Sequence, residues 1–273
     1  MAATALTAHI GQLIRQQLAK WTGHPDMNQL YNLLRLLARW RSQVLVNTHI
    51  SSEGAKITGG PFKGMDYVSA ATEGALIPRL IGTYESELHP HFAALAAQGV
   101  DCVIDVGCAE GYYAVGLARM LPDAIVHARD TDPKAREACT ELAGKNGVAD
   151  RVIVGGEFAP DGFEAFTGQR VLVLVDTEGA EVDILQPDLS PALAGMNIIV
   201  ETHDIYRAGA RATLVERFAP THDIVTVFQG PKTYDMPDWL KPLPHLDQLL
   251  AVWEWRIQPT PWLVMTPKES GRQ

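Results

Sequence analysis

From about residue 100 onward, short β-branched runs alternate with amphipathic stretches. DCVIDVG (101–107), AIVHARD (124–130), RVIVGG (151–156), RVLVLVD (170–176), NIIVE (197–201), HDIVTVF (222–228) and PWLVMTP (261–267) read as seven strands. Helix-period segments separate the first six; the first runs to Leu121 and the second to about Lys145. VLVLV is apolar at every position, as expected of a strand covered on both faces. Strand and helix in alternation predict a Rossmann-like α/β fold, a mostly parallel seven-stranded sheet with helices on both faces. The last two runs are joined by the Pro-rich stretch PKTYDMPDWLKPLP with no clear helix, which predicts an antiparallel pair at one edge.

Residues 1–95 differ in texture and read as a helical segment covering the site, ahead of a sheet domain at 96–268 and a tail at 269–273. In QLYNLLRLLARWRSQVL, Leu30, Leu33, Leu34, Leu37 and Trp40 recur at helical spacing and predict one apolar face. Arg35, Arg39 and Arg41 fall on or near the other face, read as solvated, with a homodimer face or a contact to an acidic substrate left open. KITGGPFKGMDYV predicts a turn or short hairpin, and GTYESELHPHF leads into a helix ending near Gly99.

Composition narrows the classes. The 273-residue chain is 47% hydrophobic and carries a formal net charge of −9, which argues against general nucleic-acid binding. Its three cysteines, Cys102, Cys108 and Cys139, lack metal-type pairing and suit a reducing compartment. The first twenty residues show neither a cationic leader nor an unbroken apolar core, and no run approaches the length of a membrane span. A soluble, cytoplasmic protein with no membrane partner is expected.

The first strand runs into VIDVGCAEGYYAVGLA, placed where the switch point of an open α/β sheet binds its ligand. A dinucleotide fingerprint would need glycines where Ala109 and Tyr112 stand; the pattern present is D-x-G-x-A-x-G. A carboxylate at Asp105 repels a pyrophosphate and suits an ammonium group. Asp130 ends the second strand, with Asp132 close behind, where an acid can hydrogen-bond ribose hydroxyls. The third strand ends in GGEF, offering Glu157 to an adenine amine and Phe158 as a stacking surface. Three acids at successive strand ends point to S-adenosylmethionine.

VIDVGCAEGYYAVGLA resembles the first motif of class I S-adenosylmethionine-dependent methyltransferases, and VLVLVDTEGAEVDIL with NIIVETHD resembles their FkbM-type family. The similarity covers about residues 100–230. It implies Asp105, Gly107, Glu110 and Gly111 around the methionine end, Asp130 on the ribose, Glu157 near the adenine and Asp176 at the mouth of the site.

Methyl transfer is an in-line displacement that aligns the acceptor and often removes a proton. The candidates follow the fourth and fifth strands: Asp176, Glu178 and Glu181, then Glu201, His203 and Asp204. His203 is the expected general base, with Asp176 and Glu201 beside it. The same groups — Asp176, Glu201, His203 and Asp204 — could instead hold a divalent cation, or His203 could hydrogen-bond its loop while the glutamates favour a helix start. Catechol-type methyltransferases draw metal ligands from these two strand ends, but their acid and amide pattern is absent here. Glu85, in the N-terminal segment, is a further cofactor contact. No ligand spacing links His89 and His91, and Trp253, Trp255 and Trp262 read as core or interface. The expected reaction is O-methylation of a small-molecule or sugar-like hydroxyl in secondary metabolism or glycan modification. The alternatives are transfer or cyclisation of the cofactor's aminocarboxypropyl arm, or a non-catalytic cofactor-binding module.

Overall fold

All seven predicted runs form strands: β1 (Cys102–Val106), β2 (Ile125–Arg129), β3 (Val152–Gly155), β4 (Val171–Val175), β5 (Asn197–Glu201), β6 (His222–Val227) and β7 (Trp262–Pro267). The structure is a computed structural model describing residues 4–68 and 74–268, so the tail expected at 269–273 lies outside the described residues. The strands make one sheet in the order β3-β2-β1-β4-β5-β7-β6. The first five are parallel, and β7 inserts antiparallel to both β5 and β6, leaving β6 at the edge. The order reverses at β1, so the carboxyl ends of β1 and β4 open a crevice between their connections.

The period of two divides the core. Cys102, Ile104 and Val106 of β1 join Val171, Val173 and Val175 of β4 in a cluster with Phe163, Leu214 and Phe218. Val103, Leu172 and Leu174 face the other way, into a cluster shared with the N-terminal segment through Leu45, Phe62 and Leu80. Asp105 has the same parity as Val103, so its carboxyl points into this second, N-terminal side.

Helices α1 (Ala5–Leu18), α2 (Met27–Glu53), α3 (Leu76–Ile81) and α4 (His89–Gln98) precede the sheet. Between them, Ile57 N donates to Met65 O (2.9 Å) and Gly64 N to Ile57 O (2.8 Å), the predicted short hairpin. The expected apolar face of α2 is not buried along its length: Leu30, Leu34 and Leu37 are 50%, 62% and 38% exposed, whereas Ser42, Leu45, Val46 and His49 are buried. A helix of 27 residues is about 40 Å long, well beyond what five-residue strands cover. Its first turns therefore lie outside the core, where α1 has no buried residue.

The crossovers are α5 (Tyr112–Met120), α6 (Pro133–Lys145), a 3-10 turn (Gly162–Phe166), α7 (Glu181–Ile184) and α8 (Ala210–Phe218). The Pro-rich connection between β6 and β7, expected to lack a helix, contains α9 (His245–Ala251) directly after Pro244. That helix is held to α2 by Arg41, whose Nε and Nη2 donate to Asp247 Oδ1 and Oδ2, both at 2.6 Å. Among the described residues no helix is long and apolar enough to cross a membrane.

Candidate functional site

The carboxyl ends of the strands surround a cavity of about 760 Å³. The β1 loop is wedged tightly: Gly107 N donates to Arg129 O (2.8 Å), and Asp176 N to Val106 O (2.9 Å). Gly107 has φ +89°, and a Cβ there would lie 1.7 Å from the Asp176 carbonyl oxygen, so no other residue fits. Asp130 organises the same loop, its Oδ2 accepting from Ala109 N (2.9 Å) and its Oδ1 from Asp132 N (2.8 Å). Asp132 caps α6 through Lys134 N (2.9 Å).

Gly107, Asp130, Asp132, Glu157 and Phe158 all line the cavity, whereas Asp105, Glu110 and Gly111 do not. Asp105 is buried behind the loop, and burial together with the Asp130 charge pushes its carboxyl up to about 7. Gly111 opens α5 against Cys139. The Glu110 carboxylate points into the N-terminal segment, accepting from Tyr67 Oη (2.6 Å) and Arg79 Nη1 (2.9 Å). Arg79 itself reaches the cavity wall, its guanidinium 4.4 Å from the centre of the Tyr84 ring. Sequence reasoning missed it; the available signal was an arginine inside LIPRLI, every residue of which is buried.

Glu85 likewise stays off the cavity wall. It sits in a buried ionic network, bonded to Arg256 and the Tyr113 hydroxyl, while its amide donates to Glu254 Oε1 (2.9 Å). Lys232 joins Glu254 (2.7 Å) to Glu87 (2.6 Å). Burial, opposed by Arg256 and reinforced by Glu201 and Glu254, pushes Glu85 up to about 8. This network ties the N-terminal segment to the loop before β7, where Trp255 and Arg256 line the cavity. Trp262 is fully buried, while Trp253 and Trp255 are half-buried.

At the β4 and β5 ends the structure brings Asp176, Glu178, Glu181, Glu201 and His203 together. His203 is 3% exposed and its Nδ1 lies 2.6 Å from Oε1 of Glu181, a carboxylate that is fully buried. Glu181 Oε1 also accepts from Gly179 N (2.9 Å). Burial alone would raise Glu181, but those hydrogen bonds outweigh it and hold the carboxyl below its usual range. For His203 burial works against the charged ring, yet the Glu181 bond and the charges of Glu201, Glu181 and Glu178 prevail and raise it. The opposite nitrogen, Nε2, faces Glu178 Oε2 (3.5 Å), Glu201 Oε2 (3.6 Å) and Asp176 Oδ1 (3.7 Å). Burial, then the charges of Glu201, Glu85 and Glu178, drive Asp176 well above the ordinary carboxylate range. Glu201 Oε1 is occupied by Arg256 and by Thr260 Oγ1 (2.6 Å), so its other oxygen is the one turned to His203. Asp204 is exposed and not on the cavity wall. Glu178, a candidate in the sequence with a helix start as its alternative reading, stands at the cluster with φ +54°.

Both halves can thus be described chemically. The β1–β3 side offers carboxylates and a tightly packed loop backbone; the β4–β5 side offers a histidine oriented by Glu181 among acids.

No family model matches the chain. A release factor glutamine methyltransferase of Synechocystis sp. is 34% identical over 99 residues, 34% of this chain and 32% of the relative. The chain thus aligns with about a third of the length of the curated relative it matches. An O-methyltransferase from Bacillus cereus, solved in complex with SAH, is 14% identical with a TM-score of 0.44, over 65% of this chain and 78% of its own. A SAM-dependent O-methyltransferase from Thermotoga maritima is 14% identical with a TM-score of 0.46, over 67% of this chain and 65% of its own.

Proposed function

We propose that this chain is an S-adenosylmethionine-dependent methyltransferase acting on a hydroxyl oxygen. The observation that carries the reading is the placement of Asp130, Glu157 and Asp176 at the carboxyl ends of β2, β3 and β4 around one cavity. An acid-lined crevice with the Gly107 backbone at its floor favours a cationic adenosyl compound over a pyrophosphate. The ribose belongs on Asp130, the adenine between Glu157 and Phe158, and the sulfonium toward Asp176. The D-x-E-G-x-E turn, with Asp176, Glu178, Gly179 and Glu181, supports the FkbM-type family in particular, and with it a small-molecule or sugar-like acceptor.

In the reaction the acceptor oxygen attacks the methyl carbon from the side opposite sulfur. The carbon–sulfur bond breaks with its electron pair going to sulfur, leaving the neutral thioether S-adenosylhomocysteine. The hydroxyl proton passes to His203 Nε2, on the ring that Glu181 orients from behind, with Asp176 and Glu201 beside it.

A crystal soaked with S-adenosylhomocysteine tests the reading. Ribose hydroxyls within hydrogen-bond distance of Asp130, with the sulfur directed at the Asp176–His203 end, are expected. Density elsewhere, or a reversed molecule with adenine at His203, contradicts it.

A further inference from the structure

The histidine at the β5 end is built in a way that proton acceptance alone does not require. Its ring is nearly fully buried, and the hydrogen bond to Glu181 fixes the proton on Nδ1. Nε2 then points toward the cavity, where no hydrogen bond satisfies it among the described residues. A carboxylate bonded to the far nitrogen of a histidine both orients the ring and strengthens Nε2 as a donor.

Three carboxylate oxygens surround that nitrogen, at 3.5, 3.6 and 3.7 Å. The Asp176 Oδ1 atom is buried, with the Glu201 carboxyl and His203 Nε2 as its polar neighbours. Donors about 2.1 Å from a shared ion stand roughly 3.0–3.4 Å apart, so the 3.5 and 3.7 Å spacings from Nε2 to Glu178 and Asp176 need only small closure. The His203 ring can carry at most one positive charge beside Asp176, Glu178 and Glu201, and Arg256 is already shared among Glu85, Glu201 and Glu254. The acids at the cavity end therefore outnumber the cations the described residues bring to them.

We infer that Asp176, Glu178 and His203 form a divalent-cation site, with Glu181 positioning the histidine from behind. The ligand atoms of these three all lie within 4.8 Å of one another. The set departs from the sequence expectation: Glu178 replaces Asp204, and Glu201, with Oε1 held by Arg256 and Thr260, keeps only Oε2 near the histidine, at 3.6 Å. One imidazole and two carboxylates suit manganese, iron or zinc, and three protein donors leave coordination positions open toward the cavity. A cation there lowers the pKa of a bound hydroxyl. That purpose rests on the methyl-transfer reading; the site itself does not. Cation binding and direct proton acceptance compete for the same lone pair.

The test titrates Mn²⁺ into the full chain, read by the loss of the free-ion electron-paramagnetic-resonance signal and by calorimetry, with S-adenosylhomocysteine affinity measured in parallel. One Mn²⁺ per chain is expected. Glu178→Gln, an exposed position, and His203→Ala should each weaken it at least tenfold, and Glu181→Gln by about 10–100-fold, with circular dichroism and S-adenosylhomocysteine affinity unchanged. Absence of stoichiometric Mn²⁺ uptake, or equal uptake by Glu178→Gln and His203→Ala, overturns the site. Tight S-adenosylhomocysteine binding without Mn²⁺ removes the cation site and keeps methyl transfer. Mn²⁺ binding without S-adenosylhomocysteine does the reverse.

Discussion

Asp105 shows how one side chain can matter without touching the cavity. The alternation of β1 turns it into the buried N-terminal side, where one carboxylate oxygen has no hydrogen-bond partner. Burial first, and Asp130 second, raise its pKa from 3.8 to about 7. A carboxyl raised on folding contributes stability below its unfolded pKa, and that contribution is lost as pH climbs through the folded value. At about 1.4 kcal/mol per pKa unit, the ionised group costs about 4 kcal/mol above neutrality. Asp105→Asn should therefore gain stability relative to wild type between pH 5 and pH 8, followed by thermal melting of the ligand-free protein. A gap that stays constant with pH would show that Asp105 ionises freely. The acid itself was legible in VIDVG, and so was its strand. Its burial behind the loop was not, because the motif gives spacing but not the depth of the face it points to.

Among the elements, the buried Arg79–Glu110 pair joins α3 to the loop after β1 (2.9 Å), with Tyr67 on the same carboxylate. The partners are 31 and 43 residues apart in sequence, and local periodicity carries no information about such pairings. For that reason Glu110 was expected at the cofactor and Arg79 was not anticipated at all. Removing one member of a buried pair typically costs about 3 kcal/mol or more. Glu110→Gln should lower unfolding stability by about that amount in urea denaturation, with Arg79→Met/Glu110→Leu recovering part of it; a loss below about 1 kcal/mol would mark the pair as solvent-screened. Element lengths misled in a similar way. The helical rhythm of α2 is sound, but its apolar stripe outruns the sheet, so Leu30 and Leu34 face solvent. Helix α9 hid behind Pro242 and Pro244, because the prolines mark a chain break without revealing the seven-residue helix that starts just after.

For the molecule as a whole, strand count, parallel core and antiparallel edge were all written in the alternation of apolar runs, since covered strands leave few other arrangements. Asp130, Glu157 and Asp176 could be placed because strand ends converge by topology alone. Glu178 was a candidate by its position after β4, but its approach to His203 was not legible, because it depends on a left-handed backbone at a non-glycine position. The central claim is that this convergence selects an adenosyl sulfonium over a phosphate-bearing nucleotide. Titration calorimetry of the full chain with S-adenosylmethionine and, separately, with NAD tests it most directly. Saturable one-to-one binding of S-adenosylmethionine, weakened at least tenfold by Asp130→Ala, and no heat from NAD is the predicted result; tight NAD binding with a silent S-adenosylmethionine titration would contradict it.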